Sequence, residues 1–386
     1  IPYHRLVSEL FLLPALARDA AGLSVDPTIW TRLKEMGNFV TTYTLPCGHV
    51  PVWGDADDGR ALPLGTQALN DHRYLSETLL FCKKRLAKPL YDETLWWLGP
   101  GHNIKYNTRA ASSSIFTNAG VFIFRNSEDY IFIDAGPVGM AGRGGHGHND
   151  CLSFETTLRG VRLVIDTGSY VYTPDWKSRN QFRSTKAHNT PLVDHCEINR
   201  FPRPDWLWYA EDNAKPTILD YAISEGSDWL IASHSGYNRL LSPVTPFRLF
   251  ILDKKTHSLL ISDKFCSSGE HETRIPFHLD ANLKVKKLKI GVWELTSKTG
   301  PKFFFVYRES GNWEAKIEDG WASPSYGLKH KIKILVFKQR GPLTPLTVAL
   351  FPKLSSTDNP KLMLSNIISN HIKILNKQDT FMQLLK

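Results

Sequence analysis

Two histidines separated by one residue, His146 and His148, are followed by Asp166 and His188. Imidazole and carboxylate groups can bind a metal ion or transfer a proton, so all four side chains are candidates for a chemical role. The surrounding segments are rich in β-branched residues, which predicts strands. Because side chains alternate along a strand, His146 and His148 would lie on the same face. The spacing predicts one pocket in which one imidazole is a ligand and the other a reactant.

The carboxylate of Asp166 ends an apolar run, residues 161–166, and is followed by the turn residue Gly168. A carboxylate at the end of a buried strand needs a partner, and a bound cation is a suitable one. Zinc accepts imidazole and carboxylate ligands, and with three protein ligands it often keeps one position for water. We therefore interpret the cluster as a metal site, in which Asp150 is an alternative ligand to Asp166.

Two competing interpretations of the histidine segment remain open. Each histidine alone is more often a hydrogen-bonded core or loop residue, and only their clustering favours a site. The segment His146-x-His148-x-Asp150-Cys151 also resembles the HxHxDH signature of dinuclear metallo-hydrolases, with Cys151 in place of the last histidine. That fold needs alternating strands and helices, which the sequence does not predict, so a metal-dependent hydrolase is the weaker hypothesis.

Further polar residues lie in a turn-rich loop. Asp55, Asp57 and Asp58 precede Gly59 and resemble the start of a calcium loop, but the closing glutamate is missing. We expect a solvated acidic turn there.

Three arginines, Arg143, Arg179 and Arg183, flank the histidine segments. Their guanidinium forks suit a carboxylate or a sulfate. Pairing with Asp175 or Glu155 is an equally weighted alternative.

The hydrophobic pattern changes its period near residue 110. Helical spacing predicts helices from Leu6, with a kink or end at Pro14, then over Pro27 to Tyr43 and over Gln67 to Leu86. From about residue 112, short Val-, Ile-, Phe- and Tyr-rich runs separated by turn residues predict a large antiparallel β-sandwich. We expect three parts: a helical part at 1–108, a sandwich at 109–353, and a polar tail at 354–386 with at most one weak helix.

The bulk composition limits the classes of protein. With 386 residues, two domains are the default expectation. The formal charge of +9 suits an acidic polymer as partner, but the aromatic-interleaved pattern of single-strand nucleic-acid binders is missing, so we do not expect nucleic acid. No run is apolar enough to predict a membrane span. The five cysteines contain no CxxC pair and predict neither a disulfide framework nor a cysteine-based zinc site.

Five short motifs lie in the centre of the chain: Phe116-Thr-Asn-Ala-Gly120, Asp134-Ala-Gly136, Gly145-His-Gly-His148-Asn-Asp150, Asp166-Thr-Gly168-Ser-Tyr170-x-Tyr172 and Arg183-Ser-Thr-x-x-His188-Asn-Thr190. Together they resemble the heparinase II/III-like family of polysaccharide lyases, and the resemblance covers residues 1 to about 350. Upstream, Tyr3-His4-Arg5-Leu6 and Gly54-Asp55-x-Asp57-Asp58-Gly-Arg60 are similar to its last helical pairs. The resemblance implies an α+β multidomain fold: the C-terminal part of an incomplete (α/α) toroid, followed by a large antiparallel β-sandwich, with the active site in the cleft between them.

The resemblance also implies roles for individual residues. His148, Asp166 and His188 would bind a zinc-like divalent ion, which is mainly structural. Tyr3 and His146 would be the catalytic residues. The residues implied to contact the substrate are His4, Arg143, Asn149 and Arg183. The family also carries an Asn or His on an earlier toroid helix, which would lie upstream of Ile1.

The implied activity is β-elimination in an acidic, uronic-acid-containing polysaccharide. Tyr3 would act as base and then as acid, provided that positive charge from His4, Arg5 or His146 lowers its pKa. A non-catalytic polysaccharide-binding or exopolysaccharide-biosynthesis accessory protein is the alternative from another class. We expect a periplasmic or secreted location, although no signal peptide is visible in this sequence, and we allow for a homodimer. The start at Ile1 without methionine suggests a fragment or a processed chain.

Overall fold

Two central strands of one sheet present apolar side chains on both faces. The computed structural model describes residues 1–80, 91–99 and 112–384. In it, strands β2 (Val121–Arg125) and β3 (Tyr130–Asp134) are buried at every position. Val121 and Ile123 pack against the helical layer, whereas Phe122 and Phe124 belong to the core of the sandwich. Because alternate side chains point to opposite faces, one sheet joins two hydrophobic cores.

The register of β2 and β3 pairs a large side chain with a smaller one at each central position. Phe122 lies opposite Ile133, and Phe124 lies opposite Ile131. On the other face, Ile123 lies opposite Phe132. Such aromatic and β-branched pairs are a favourable cross-strand combination.

Four helices form the layer that covers one face of this sheet. They are α1 (Pro2–Ala20), α2 (Pro27–Tyr43), α3 (Arg73–Leu79) and α4 (Asp92–Leu98). The bounds predicted for α2 are confirmed, and the Asp26 carboxylate accepts a hydrogen bond from the Thr28 amide as an N-cap. Of the kink or end predicted at Pro14, the end is excluded, because helix α1 continues through this residue. Helix α3 is shorter than predicted, and residues 81–86 of that prediction lie outside the described residues.

The sandwich consists of three antiparallel sheets. The five-stranded sheet has the order β1-β2-β3-β4-β5, the eight-stranded sheet β12-β13-β14-β17-β10-β9-β8-β7, and the four-stranded sheet β15-β16-β11-β6. The remaining strands are β1 (Ser114–Phe116), β4 (Phe154–Leu158), β5 (Val161–Val164), β6 (Leu192–Val193), β7 (Thr217–Ala222), β8 (Ser227–Ser233), β9 (Val244–Asp253), β10 (Ser258–Ser267), β11 (His271–His278), β12 (Lys284–Lys289), β13 (Val292–Thr296), β14 (Lys302–Tyr307), β15 (Glu314–Ser325), β16 (Leu328–Gly341) and β17 (Leu346–Pro352). A single core contains residues from all three sheets.

Two lysine-rich segments, residues 284–289 and 329–338, lie in strands β12 and β16, which the hydrophobic pattern did not predict. Strand β12 carries four lysines, and it is the outermost strand of the eight-stranded sheet. Lysine is a poor strand former, but it protects an exposed edge from pairing with another chain.

The segment predicted as a polar tail is folded. Two helices, α6 (Pro360–Asn370) and α7 (Ile372–Leu384), pack on the outer face of the eight-stranded sheet. Leu364, Ile367 and Leu375 are buried there, in one cluster with Ile251 and Phe351. The prediction was wrong because the many Asn and Lys residues hide a narrow apolar stripe, which is all that a helix on a sheet needs.

No helix among the described residues is both long and apolar enough to cross a membrane. The described cysteines, Cys47, Cys151, Cys196 and Cys266, are free thiols.

We expect Leu364→Ala to lower the free energy of unfolding by about 2 to 4 kcal/mol, because it opens a cavity under α6. The matched control is Leu362→Ala on the same helix, where the side chain is 59% exposed, and this change should cost under about 0.5 kcal/mol. Urea denaturation of both variants checks this, and equal midpoints would contradict the packing of α6.

Candidate functional site

A cleft lies between the helical layer and the loops of the sandwich. Its cavity of about 210 Å³ is lined by Tyr3 from α1, by Trp53 and Asp55 from the loop after α2, and by His146 and His148 from the loop before β4. The two loops approach closely, since the Asp55 amide donates to the His146 carbonyl oxygen over 3.0 Å. Gly54 has a φ of +64°, and a Cβ there would lie 2.7 Å from that oxygen, so only glycine fits.

The Asp55 carboxylate is the centre of the site. It is 2% exposed and accepts hydrogen bonds from His146 Nδ1 (3.1 Å) and His148 Nε2 (2.9 Å). Both terminal nitrogens of Arg179 also donate to it. Burial alone would raise the pKa of Asp55, but the two imidazoles and the guanidinium hold it well below its usual range. The predicted solvated acidic turn was wrong, because Asp55 is a buried anion with three partners.

Arg179 reaches Asp55 from helix α5 (Trp176–Phe182). The Asp175 carboxylate caps this helix by accepting from the Lys177 and Ser178 amides, which orients its first turn. The guanidinium is fully buried and lies 5.1 Å from the ring centre of Tyr172 and 5.2 Å from that of Trp208. Its partner is therefore neither Asp175 nor Glu155, and its charge is used inside the protein.

His148, Asp166 and His188 lie together, with ligand atoms within 4.8 Å of one another, and His148 is the member of this cluster that lines the cleft. His188 Nδ1 contacts Asp166 Oδ2 at 2.6 Å, and the Gly168 amide donates to Asp166 Oδ1. Burial lowers the pKa of His188, but the charge and the hydrogen bond of Asp166, together with the charges of Asp150 and Glu197, raise it overall. Burial lowers the pKa of His148 and favours its neutral form.

Two imidazole nitrogens in this cluster have no hydrogen-bond partner among the described residues. Asp55 is ionised and can only accept, so His148 carries its proton on Nε2, and its Nδ1 is left buried without a hydrogen bond. His188 Nε2 is likewise buried without a partner. An unsatisfied buried nitrogen costs about 1 to 3 kcal/mol, whereas a metal ion would use both lone pairs. The donor set of two imidazoles and one carboxylate fits zinc.

Asp150, the alternative ligand, is not in this cluster. It lies beside Asp134, whose pKa is raised well above the usual range by burial and by the charge of Asp150.

Tyr3 and His146 both line the cleft, and their ring centres are 4.3 Å apart. The Tyr3 hydroxyl donates to Asp57 Oδ2 over 2.9 Å and lies 3.5 Å from the Tyr172 hydroxyl. Burial raises the pKa of Tyr3 to about 12, and Asp57 adds to this. The expected lowering by positive neighbours is not found. Arg5 donates to the carbonyl oxygens of Leu69 and Gly59 instead.

The imidazole of His146 is directed by Asp55. Since its Nδ1 donates to the carboxylate, its Nε2 carries the lone pair, and 42% of the side chain is exposed. The segment around His146 and His148 is a loop, so the strand periodicity assumed for it was wrong. The two imidazole rings are brought together because both bond the carboxylate of Asp55.

The residues predicted to contact a substrate are placed differently from one another. His4 Nε2 lies 3.3 Å from the Met36 carbonyl oxygen, and its ring packs on Phe39 and Tyr43, inside the helical layer and outside the cavity lining. Burial lowers the pKa of His4 to about 4.

Asn149 and Arg183 are also committed to internal contacts. The Asn149 side-chain amide donates hydrogen bonds to the Glu197 carboxylate and to the Asn199 carbonyl oxygen. Arg183 donates to the carbonyl oxygens of Tyr209 and Trp206. Arg143 alone of the four is exposed, on the loop that leads to His146.

Asp55, Asp57, Tyr172 and Trp208 are site residues that the sequence reasoning did not select. The motifs at Gly54 and Asp166 contained the first three, and this was the available signal. Trp208 lies in an irregular segment and gave none.

The profile of the heparinase II/III-like C-terminal domain matches residues 108–364. The chain therefore belongs to the heparinase II/III-like family.

Among sequenced relatives, the heparin-sulfate lyase of Bacteroides stercoris is 31% identical over 112 residues, which are 27% of this chain and 16% of that protein. Among solved structures, the heparan sulfate lyase HepC from Pedobacter heparinus aligns with a TM-score of 0.68 at 17% identity, over 92% of this chain and 52% of that one. A heparinase III aligns with a TM-score of 0.69 at 14% identity, over 92% and 54%. The predicted fold class, a toroid part followed by a β-sandwich, is confirmed. The chain spans about half the length of these structures and less of the sequence relative.

We expect Asp55→Asn to lower the free energy of unfolding by about 3 to 5 kcal/mol at neutral pH, because Arg179 would stay buried without a counter-charge. The depressed pKa of Asp55 contributes stability above the unfolded pKa of about 3.9, and this is lost as the pH falls toward the folded value. Denaturation at several pH values should therefore show a weaker acid dependence in the variant.

The matched control is Asp205→Asn, which removes a similar pair with Arg203 at the surface, where the two side chains are 60% and 58% exposed. It should change stability by under about 0.5 kcal/mol. A similarly small effect of Asp55→Asn would contradict the central role of this carboxylate.

Proposed function

We propose that this chain is the catalytic C-terminal part of a polysaccharide lyase that cleaves an acidic, uronic-acid-containing glycosaminoglycan by β-elimination. The observation that carries the proposal is the adjacent pair of Tyr3 and His146 in a cleft of a heparinase II/III-like chain. Names of the matched proteins, a heparin-sulfate lyase and a heparan sulfate lyase, support the substrate class. A polymer of this kind is extracellular, so we also propose a periplasmic or secreted location.

In this reaction the C5 proton beside the carboxylate is removed, the C4 to oxygen bond breaks, and a C4 to C5 double bond forms. His146 is suited to take the proton, because Asp55 holds the Nδ1 proton and leaves the Nε2 lone pair toward the cavity. Tyr3 is suited to give a proton to the leaving oxygen, since a pKa of about 12 keeps its hydroxyl protonated at neutral pH. This division replaces the single tyrosine that serves as both base and acid.

The uronate carboxylate must be neutralised for its C5 proton to become acidic. Arg179 cannot supply this charge, because its buried guanidinium is already paired with the Asp55 carboxylate. Arg143 is exposed on the loop that leads to His146, outside the lining of the 210 Å³ cavity, and it forms no ion pair among the described residues. It is our candidate for the uronate carboxylate of a polymer that extends beyond this cavity.

We further propose that His148, Asp166 and His188 hold a divalent ion, zinc by the chemistry of its donors. When bound, the ion would supply a fixed positive charge and a structural cross-link. His148 would then hold Asp55, and Asp55 would hold His146, so the chain's own residues keep the base in place.

A single assay separates this proposal from its alternatives. The full chain is incubated with a panel of uronate polymers, and the ultraviolet absorbance of the conjugated double bond is followed. Elimination raises the absorbance, a metal-dependent hydrolase gives reducing ends without it, and an accessory binding protein gives neither.

Tyr3→Phe should lower the elimination rate by about 10² to 10⁴, because it removes the proton donor, while the melting temperature and metal content stay unchanged. Tyr209→Phe is the control, since the Tyr209 hydroxyl makes no hydrogen bond within the described part of the chain. Full activity of Tyr3→Phe would overturn the assignment of the acid.

His188→Ala should lower both the bound divalent ion, measured by elemental analysis, and the melting temperature. A chelator should lower the melting temperature of the unchanged protein and have little further effect on the variant. The control is His271→Ala, which breaks another buried imidazole pair, His271 Nδ1 with Asp194 Oδ2 at 2.7 Å, away from the cluster. If both variants keep the same metal content, the proposed metal site is wrong.

A further inference from the structure

A second cavity, of about 330 Å³, shares no lining residue with the cleft. It is lined by Gly320 and Ile334 of β15 and β16 and by Arg274 and His278 of β11. The end of α5 and residues 186–187, directly before His188, also line it. Its volume is within the range of about 300 to 1,000 Å³ that is typical of small-molecule sites.

A buried hydroxyl in this cavity has no partner. Thr167 is 2% exposed and lines the cavity, and its Oγ1 makes no hydrogen bond to the part of the chain that the structure describes. Buried polar groups nearly always have a partner in the folded state, so an orphan at a cavity wall indicates a group that a ligand or water satisfies. A hydroxyl can both donate to and accept from a sugar hydroxyl.

The acidic side chains around the cavity are paired with basic ones, whereas one basic side chain is not paired. Glu318 pairs with Arg274 at 2.8 Å and with Lys338 at 2.8 Å, and Asp319 pairs with Lys333 at 2.6 Å. His278 is buried and neutral, with its pKa lowered by burial to about 3. Lys186, at the exposed rim, has no ion pair within the described residues. The rim therefore favours an anion.

An aromatic platform completes the rim. Trp321 is 38% exposed, and the Lys329 ammonium lies 4.9 Å from its ring centre. Lys331 is its cross-strand neighbour on β16. A rigid indole offers a large apolar contact to the face of a sugar ring, and the nearby ammonium groups can bind an acidic substituent.

We propose that this cavity is a second, non-catalytic subsite for an acidic sugar residue of the polymer. The ring would pack on Trp321, its carboxylate or sulfate would contact Lys186 and Lys329, and a hydroxyl would bond Thr167. The subsite rests on the proposed function for the class of ligand, but it is separate from the chemistry of the cleft. It adds a second attachment point, so long chains are retained better than short ones.

Binding is measured by calorimetry in the full chain carrying Tyr3→Phe, so that no probe is consumed. The probes are size-defined heparan sulfate oligosaccharides, with neutral maltohexaose and inorganic sulfate at equal ionic strength as references. We expect Trp321→Ala to weaken binding of long oligosaccharides by about tenfold. Lys186→Gln should weaken it less and reduce its salt dependence.

The matched control is Trp176→Ala. Trp176 is 44% exposed and has Lys177 at 5.6 Å from its ring centre, but it lines no part of this cavity. It should bind as the parent does. Equal losses in Trp321→Ala and Trp176→Ala would overturn the subsite, as would equal binding of maltohexaose or full competition by sulfate alone.

Kinetics with Tyr3 intact give an independent readout. For the polymer, Trp321→Ala should raise KM with kcat unchanged, while the shortest cleavable oligosaccharide should show no change. If the unchanged protein eliminates no polymer but Trp321→Ala still weakens binding, the proposed function fails and the subsite stands. If the unchanged protein eliminates the polymer and Trp321→Ala changes the kinetics of neither long nor short substrates, the proposed function stands and the subsite fails.

Discussion

The site depends on the burial of one negative charge. Asp55 lies between the helical layer and the sandwich, and it accepts from two imidazoles and a guanidinium that all come from the sandwich. A buried carboxylate with such partners is strongly directional, because each donor must approach along its own lone pair. The same group therefore fixes the orientation of His146, the tautomer of His148 and the position of Arg179.

The neighbouring acids extend this connection across the molecule. Asp57 accepts from Tyr3 on α1, and Asp58 accepts from the Ser325 hydroxyl and the Tyr326 amide at the β15–β16 turn. Three acids in one short loop thus bind three different parts of the fold. From the sequence they resembled a solvated turn, because a carboxylate's partner cannot be identified until distant segments are brought together.

Local patterns predicted the parts of the fold that depend on neighbours in sequence. The helical spacing that begins at Pro27 marked the start of α2, and the Val-, Ile- and Phe-rich runs marked the central strands. Motif resemblance selected His148, Asp166 and His188, which the structure brings together. Long-range contacts limited the rest: the role of Arg179 depends on a partner 124 residues away, and α6 depends on the outer face of a sheet.

Strands β2 and β3 have no solvent-facing side, so an alternation of polar and apolar residues cannot fix how they align. In most sheets a shift by one residue would place apolar groups in water, but here both sides are already dry. The register of the two strands is fixed by the sizes of their side chains instead. A shift by one would place Phe122 opposite Phe132 and Ile123 opposite Ile131, which overfills one layer and leaves gaps in the other. Steric fit therefore keeps β2 and β3 in register, and with them the side chains that this sheet presents to each of the two cores.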